Sequence, residues 1–165
     1  MIVCNAALLI YLNEVGRLEL LKTLYGQLLI PQGVFDEVVA EASGRPGAVE
    51  VRKAVDEGWI KVEVVSVPSS LKAEGLEDAD GELIELARQR GAPLLTNDKA
   101  LAATARIHKV GVRWLTQTLI EAVDTGVLGP ADARALLRQL VSAGLRVRSE
   151  VMAEIIHLIE EPRGT

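Results

Sequence analysis

The chain has 165 residues, 49% of them hydrophobic, and a net charge of −5, which fits one domain able to bury a full core. A single cysteine, Cys4, excludes an internal disulfide, makes a zinc site improbable, and predicts a buried thiol because it lies within an apolar run. No apolar stretch approaches the ~18 residues of a membrane span and no basic segment follows Met1, so we expect a cytoplasmic protein that is not inserted in a membrane.

Short β-rich runs alternate with helical patterns along the chain, which is typical of a doubly wound parallel sheet. The predicted strands cover residues 2–4, 27–30, 60–65, 93–96 and 112–115. Helical patterns cover 17–25, 31–39, a stretch before Gly58, a stretch through 83–87 that stops near Gly91, and roughly 117–125, 130–143 and 148–160. A break is expected at Ser43-Gly44-Arg45-Pro46-Gly47. We predict one domain over 1–165, with an α/β core at 1–128 and a helical extension at 129–165.

Four acid or amide side chains fall where predicted strands give way to helices. Asn5 directly follows the first strand and Asp98 follows the fourth, and ligands bind at this carboxyl edge in open parallel sheets. Glu37 lies about two turns beyond the second strand, and Asp80 opens the helix before the fourth. Taken singly, each also has a structural explanation, because Asn and Asp cap helix N-termini and acids in a first turn favour the helix dipole. Together they predict oxygen ligands for a hard divalent cation.

Charge is unevenly distributed along the sequence. Residues 1–85 contain 7 Lys/Arg and 15 Asp/Glu, whereas residues 86–148 contain 10 Lys/Arg and 4 Asp/Glu. The later segment is therefore basic within an acidic protein. Two explanations stay open, a phosphate-facing surface and an ordinary alternation of solvated charges.

The residues also carry a family resemblance that spans nearly the whole chain. The chain resembles a PIN-domain protein, in the branch long catalogued as a domain of unknown function and related to the VapC toxins. The segments that carry the resemblance are Ile2-Val3-Cys4-Asn5 with Leu9-Ile10, Gly16 to Leu21, Ile30-Pro31 with Val34, Asp36-Glu37-Val38-Val39, Gly44 to Ala48, Gly58-Trp59-Ile60, Leu76 to Ile84, and Leu94 to Asp98.

The resemblance implies a three-layer α/β/α fold with a mostly parallel sheet of about five strands, extra C-terminal helices, and Mg²⁺- or Mn²⁺-dependent cleavage of single-stranded RNA. It implies the toxin half of a toxin–antitoxin pair, with an antitoxin protein and a second copy of the chain as partners. The residues that the family's acidic cluster would map onto are Asn5, Glu37, Asp80 and Asp98, with Glu82 as a fifth metal ligand and Thr96 or Thr116 in orienting roles.

Two departures from the family pattern bear on activity. PIN domains typically begin with Asp followed two residues later by Ser or Thr, whereas this chain has Asn5-Ala6-Ala7. An amide oxygen can bind a cation but carries no charge, so the metal affinity should be lower. Ala79-Asp80 stands where the branch usually has Gly-Glu, which keeps the charge on a shorter side chain.

Two alternative functions stay open. One is a catalytically weak PIN fold that binds RNA or protein, as Asn5-Ala6-Ala7 suggests. The other is a nucleotide-binding α/β protein, which the absence of a glycine-rich phosphate loop after the first strand disfavours. His108 and His157 lack ligand spacing and are expected at or near the surface.

The aromatic side chains are expected mostly in the core, which makes base stacking an improbable route to RNA recognition. Phosphate contacts from Arg and Lys would then dominate binding. The last predicted helix is more apolar than one packed face needs, which suggests a partner surface. The five aromatic residues are Tyr11, Tyr25, Phe35, Trp59 and Trp114.

Overall fold

The computed structural model of the chain describes residues 1–40 and 46–161. Within them, five strands form one sheet in the order β3-β2-β1-β4-β5, and every neighbouring pair is parallel. The predicted parallel sheet is confirmed. The expected break at Ser43-Gly44-Arg45-Pro46-Gly47 falls mostly outside the described residues. The strands are β1 (Ile2–Cys4), β2 (Leu28–Pro31), β3 (Ile60–Glu63), β4 (Leu94–Leu95) and β5 (Val112–Arg113).

Helices connect and cover the strands. In chain order they are α1 (Ala6–Glu14), α2 (Glu19–Tyr25), α3 (Gln32–Phe35), a π-helical turn (Asp36–Ala40), α4 (Pro46–Asp56), α5 (Ser69–Lys72), α6 (Asp78–Arg90), α7 (Lys99–Ile107), α8 (Leu115–Asp124), α9 (Pro130–Ala143) and α10 (Ser149–Glu160). Because crossovers between parallel strands are right-handed, the reversal of strand order at β1 puts the helices of the two halves on opposite faces. The fold is a three-layer α/β/α sandwich with additional C-terminal helices.

Most predicted elements are present, with shifted ends. Gly26 and Gly91 follow α2 and α6 with φ of 73° and 59°, a left-handed region that glycine enters without steric cost, so both helices end where the sequence predicted. Pro31 was expected in a first helical turn, but it is the last residue of β2 and immediately precedes α3. The short helix α5 was not predicted.

The sheet is buried on both faces, which explains its nearly unbroken apolar strands. All residues of β1, β2 and β4 are buried, and Cys4 lies among them with no exposed surface. Burial raises the pKa of the Cys4 thiol, as expected for an inert core thiol. No helix in the described ranges combines the length and apolar character that crossing a bilayer requires.

The C-terminal helices pack against the α/β core. Helix α9 contacts α1, α8 and α10, and α10 also contacts α8. Ile155 and Ile159 of α10 are buried, whereas Val151, at its N-terminal end, is 39% exposed. Most of the apolar excess in the last helix is thus used for packing within the chain.

A polar network joins α2 to α8 at the edge of the core. The hydroxyl of Tyr25 lies 2.9 Å from Oγ1 of the fully buried Thr118 and 3.3 Å from Oε2 of Glu121. Arg113 of β5 donates to the same Glu121 oxygen at 2.9 Å. Tyr25, expected as a core aromatic, thus also links three elements through its hydroxyl.

We predict that Tyr25→Phe lowers the free energy of unfolding by about 1 kcal/mol, the typical net value of one hydrogen bond. Chemical denaturation monitored by circular dichroism measures this loss. Tyr11→Phe is the matched control, because the Tyr11 hydroxyl makes no hydrogen bond to any described residue. Equal loss in the two variants would show that the network contributes nothing specific.

Candidate functional site

The candidate site lies at the carboxyl edge of the sheet, where the strand order reverses. Strand β1 lies between β2 and β4, so the chain leaves β1 and β4 side by side at the switch point. Asn5 follows β1 and Asp98 follows β4 after two residues. The structure therefore brings these two predicted residues together.

The hydroxyl of Thr96 connects Asn5 to Asp98. Thr96 is fully buried, and its Oγ1 accepts hydrogen bonds from Asn5 Nδ2 and from the Asp98 backbone N–H, each at 3.0 Å. A buried acceptor shared by two donors fixes their relative positions. Thr96 thus links the two residues, and its orienting role in a reaction stays a prediction.

Asn5 and Asp98 are also helix N-caps, which was the alternative explanation that the sequence offered for both residues. Asn5 Oδ1 accepts from the backbone N–H of Leu8 at 3.3 Å in α1, and Asp98 Oδ1 accepts from Leu101 at 3.0 Å in α7. Capping occupies one lone pair of Asn5 Oδ1 and one oxygen of Asp98. It leaves the second carboxylate oxygen of Asp98 available to a ligand, so capping and ligand binding are compatible.

Asp80 lies in the first turn of α6 and is electrostatically coupled to the other acids. Burial raises the pKa of its carboxyl above the ordinary value, and the negative charge of Asp98 raises it further. Glu77 and then Glu37 act in the same direction. Three other carboxylates, from the start of α6 and from two separate segments, therefore repel the Asp80 carboxylate at this edge. The sequence prediction missed Glu77, although the acidic run 77–80 was visible.

Glu37 reaches the edge from the π-helical turn that follows α3. Its side chain is exposed, and the turn buries the neighbouring Val38 and Val39 instead. Single π-helical turns are rare and are often found at functional sites, because the extra residue redirects the side chains around it. The turn explains how a helix with a buried valine pair still presents an acid to the site.

Glu82 has a structural contact of its own. Its Oε2 accepts a hydrogen bond from the backbone N–H of Gly33 at 3.0 Å, which ties α6 to the first turn of α3. A Cβ at residue 33 would lie 2.6 Å from this oxygen, so glycine makes the approach possible. Only Oε1 of Glu82 is left for a metal, and its ligand role stays a prediction.

Thr116 lies at one side of the site, in a groove of about 720 Å³. Within the described residues it makes no hydrogen bond to the acids.

We call this cavity the basic groove. Its polar lining comprises Asn97, Lys99, Thr116, Arg146 and Arg148, and its apolar lining comprises Trp114, Val141, Leu145, Val147 and Val151. The basic segment at 86–148 was the sequence signal for these cations. The approach of Arg146 and Arg148 to residues 97–99 was not predictable.

The donor set fits a hydrated magnesium-like ion better than a tightly bound one. Within residues 1–40 and 46–161, no group of three or more His, Cys, Asp or Glu side chains is close enough to enclose a metal. The available donors are carboxylate and amide oxygens, and their mutual repulsion favours a cation between them. Mg²⁺ commonly keeps several waters and uses one or two carboxylates, which matches this more open arrangement.

The histidines lie away from this edge. His108 Nε2 is 2.9 Å from Glu74 Oε2, and His157 Nε2 is 3.5 Å from Glu161 Oε1. Each is therefore paired with a carboxylate outside the site.

We predict that Thr96→Val lowers the free energy of unfolding by about 1–3 kcal/mol, because two donors lose a buried acceptor while the side-chain volume stays similar. Thr96→Ser, which keeps the hydroxyl, is the control and should lose less. Thermal unfolding followed by circular dichroism compares them. A valine variant as stable as the serine variant would remove Thr96 from its connecting role.

Comparison with known proteins agrees with this arrangement. A search of the curated proteins finds no significant match. A family model described as a PIN domain, a nuclease-type fold that typically uses a divalent metal, matches residues 1–161. That match covers all but the last four residues, and the parallel sheet with its acidic carboxyl edge is of the kind the resemblance implied. The chain belongs to the PIN-domain family.

Proposed function

We propose that the protein is a Mg²⁺- or Mn²⁺-dependent endoribonuclease that cleaves phosphodiester bonds in single-stranded RNA. The observation that carries the proposal is the meeting of Asn5 and Asp98 at the carboxyl edge of the sheet, where the charges of Asp98 and Glu37 also act on the Asp80 carboxyl. Acids on three separate segments would be costly to keep together without a function that needs them. Membership of the PIN-domain family, a nuclease-type fold, supports this class of reaction.

Asp98, Asp80 and Glu37 would hold the cation directly or through water, with the Asn5 amide oxygen and Glu82 as further ligands. A bound divalent ion supplies an activated water and neutralises charge that develops at phosphorus. Thr96 keeps Asn5 and Asp98 in register through its two hydrogen bonds. The contact of Glu82 with Gly33 holds the first turns of α6 and α3 together, which positions Asp80 relative to the turn that carries Glu37.

We place this activity in the toxin half of a toxin–antitoxin pair in the cytoplasm, with an antitoxin protein as a candidate partner. The support is the resemblance to the VapC-related branch. The same resemblance favours a homodimer. Helix α10 leaves Met152 and Ile156 half-buried, and their exposed parts are the apolar surface that we propose for such a contact.

We predict that purified protein cleaves single-stranded RNA with Mn²⁺ or Mg²⁺ and that Asp98→Asn lowers the rate by roughly a hundredfold or more through loss of a metal ligand. Asparagine is as good an N-cap as aspartate, so this variant removes the charge and keeps the start of α7. Gel analysis of a labelled oligonucleotide measures the rate. Cleavage by Asp98→Asn at the wild-type rate would remove the assignment.

Asp80→Asn should lose activity in the same assay, and Asp78→Asn is its matched control. Asp78 is exposed in the same first turn but lies about 200° around the helix from Asp80. Because the pKa of Asp80 is raised in the folded protein, its ionisation lowers stability as the pH rises above the ordinary carboxyl pKa. Asp80→Asn in EDTA at pH 7 should therefore unfold no earlier than wild type, which separates lost catalysis from lost folding.

A catalytically weak PIN fold is the second candidate, and Asn5 is the observation that favours it. The Asn5 amide donates to Thr96 and contributes no negative charge to the acidic edge. The Thr96 hydroxyl hydrogen is not used in its two accepted bonds, so Thr96 can donate to a carboxylate at residue 5 without moving. An acid therefore fits this position.

We predict that Asn5→Asp raises Mn²⁺ affinity and cleavage by roughly tenfold, the lower end of the effect of changes around metal ligands. Titration calorimetry with Mn²⁺ and the same RNA assay measure both quantities. Asn13→Asp, which adds the same charge at the far end of α1, is the control. Unchanged affinity in Asn5→Asp would mean that Asn5 does not limit the site.

A further inference from the structure

The cations that line the basic groove have no carboxylate partner among the described residues. Lys99, Arg146 and Arg148 line it, and no carboxylate is among its lining residues. None of the three forms an ion pair with another described side chain. In a protein of net charge −5, three unpaired cations around one groove indicate an anionic ligand.

The apolar part of the groove narrows the class of ligand. Its other walls are the Trp114 indole and aliphatic side chains from the end of α9, the following loop and the start of α10. Trp114 is half-buried and, unlike the other four aromatic residues, is not part of the hydrophobic core or packed against it, so the expectation of a core aromatic does not hold for it. Arg106 lies over the indole, 5.7 Å from its centroid, and the indole also lines the groove, where it can contact a ligand. Phosphate-binding cations beside an aromatic face suit a nucleotide chain with unpaired bases.

The groove is also joined to the acidic edge. Asn97 and Lys99 flank Asp98 in sequence, and Asn97 Nδ2 donates to the backbone carbonyl of Arg146 at 3.2 Å. This bond ties the loop between α9 and α10 to the turn that carries Asp98. A chain lying in the groove would therefore pass next to the turn that carries Asp98.

We propose that the basic groove binds the segment of single-stranded RNA next to the cleaved bond. Lys99, Arg146 and Arg148 contact phosphates, and Trp114 stacks on a base. The inference rests on the proposed ribonuclease function for the identity of the polymer. It adds a binding surface, built by the C-terminal helices, that the acidic edge alone does not provide.

The test measures binding separately from cleavage. Fluorescence anisotropy of a labelled 12-nucleotide oligouridylate is followed in EDTA, where no metal-dependent cleavage occurs, at several salt concentrations. The double variant Arg146→Ala/Arg148→Ala should bind at least tenfold more weakly, and its salt-dependence slope should fall by ~1.4, or ~0.7 per lost phosphate contact. Trp114→Leu should weaken binding roughly tenfold with the slope unchanged.

Arg138→Ala is the matched control, because Arg138 is an exposed cation of α9 that does not line the groove. It should bind RNA as wild type does. Circular dichroism checks that each variant is folded, and Mn²⁺ titration should give wild-type affinity in all of them. RNA binding that is equal in wild type and the groove variants, or no RNA binding at all, would overturn the groove assignment.

Two further outcomes separate this inference from the proposed function. Groove-dependent RNA binding without cleavage in any metal supports the groove and removes the ribonuclease. Cleavage and binding that survive all groove substitutions support the ribonuclease and remove the groove. Poly-glutamate that competes as well as RNA of equal charge would also overturn the assignment, because a groove selective for charge alone fits an acidic protein instead.

Discussion

The two hydrogen bonds accepted by Thr96 join the ends of β1 and β4 at the point where the strand order reverses. At that point β1 and β4 end side by side, and each is followed by a helix capped by its own polar residue. Thr96 is buried and accepts from Asn5 and from the Asp98 backbone, so the first turns of two distant helices share one acceptor. The π-helical turn and α6, which carry Glu37 and Asp80, are then positioned by packing around this junction.

Stability and function oppose each other at the acidic edge. Carboxylates that raise the pKa of Asp80 also destabilise the folded chain, because like charges are brought together as it folds. The surrounding contacts offset this cost. Glu82 accepts from Gly33 across two helices, and the caps of α1 and α7 satisfy free backbone amides. The repulsion that remains around Asp80 is what a bound cation would relieve in the proposed site.

Local rules predicted much of this arrangement, and long-range contacts decided the rest. Asn5 and Asp98 could be assigned to the edge because a strand end, a capping residue and a helix follow one another in sequence. The approach of Glu82 to Gly33 depends on the packing of α3 against α6, which periodicity does not reveal. Trp114 was expected in the core because its neighbours are apolar, but it follows a two-residue edge strand and lies at the groove instead.

The fold converts the charge gradient along the sequence into two neighbouring surfaces of opposite charge. The acids of the first half reach the sheet edge through the π-helical turn and α6, whereas cations of the second half reach the adjacent groove through α7 and the loop after α9. In the proposed ribonuclease the two surfaces would have complementary roles, since a cation held by the carboxylates would act on one phosphate while the arginines would hold its neighbours. A net charge of −5 by itself disfavours a nucleic-acid ligand, but the relevant quantity is the charge within a Debye length of ~8–10 Å from the groove. Within that distance lie the three groove cations and also Asp98 of the acidic edge, whose charge a bound divalent cation would offset.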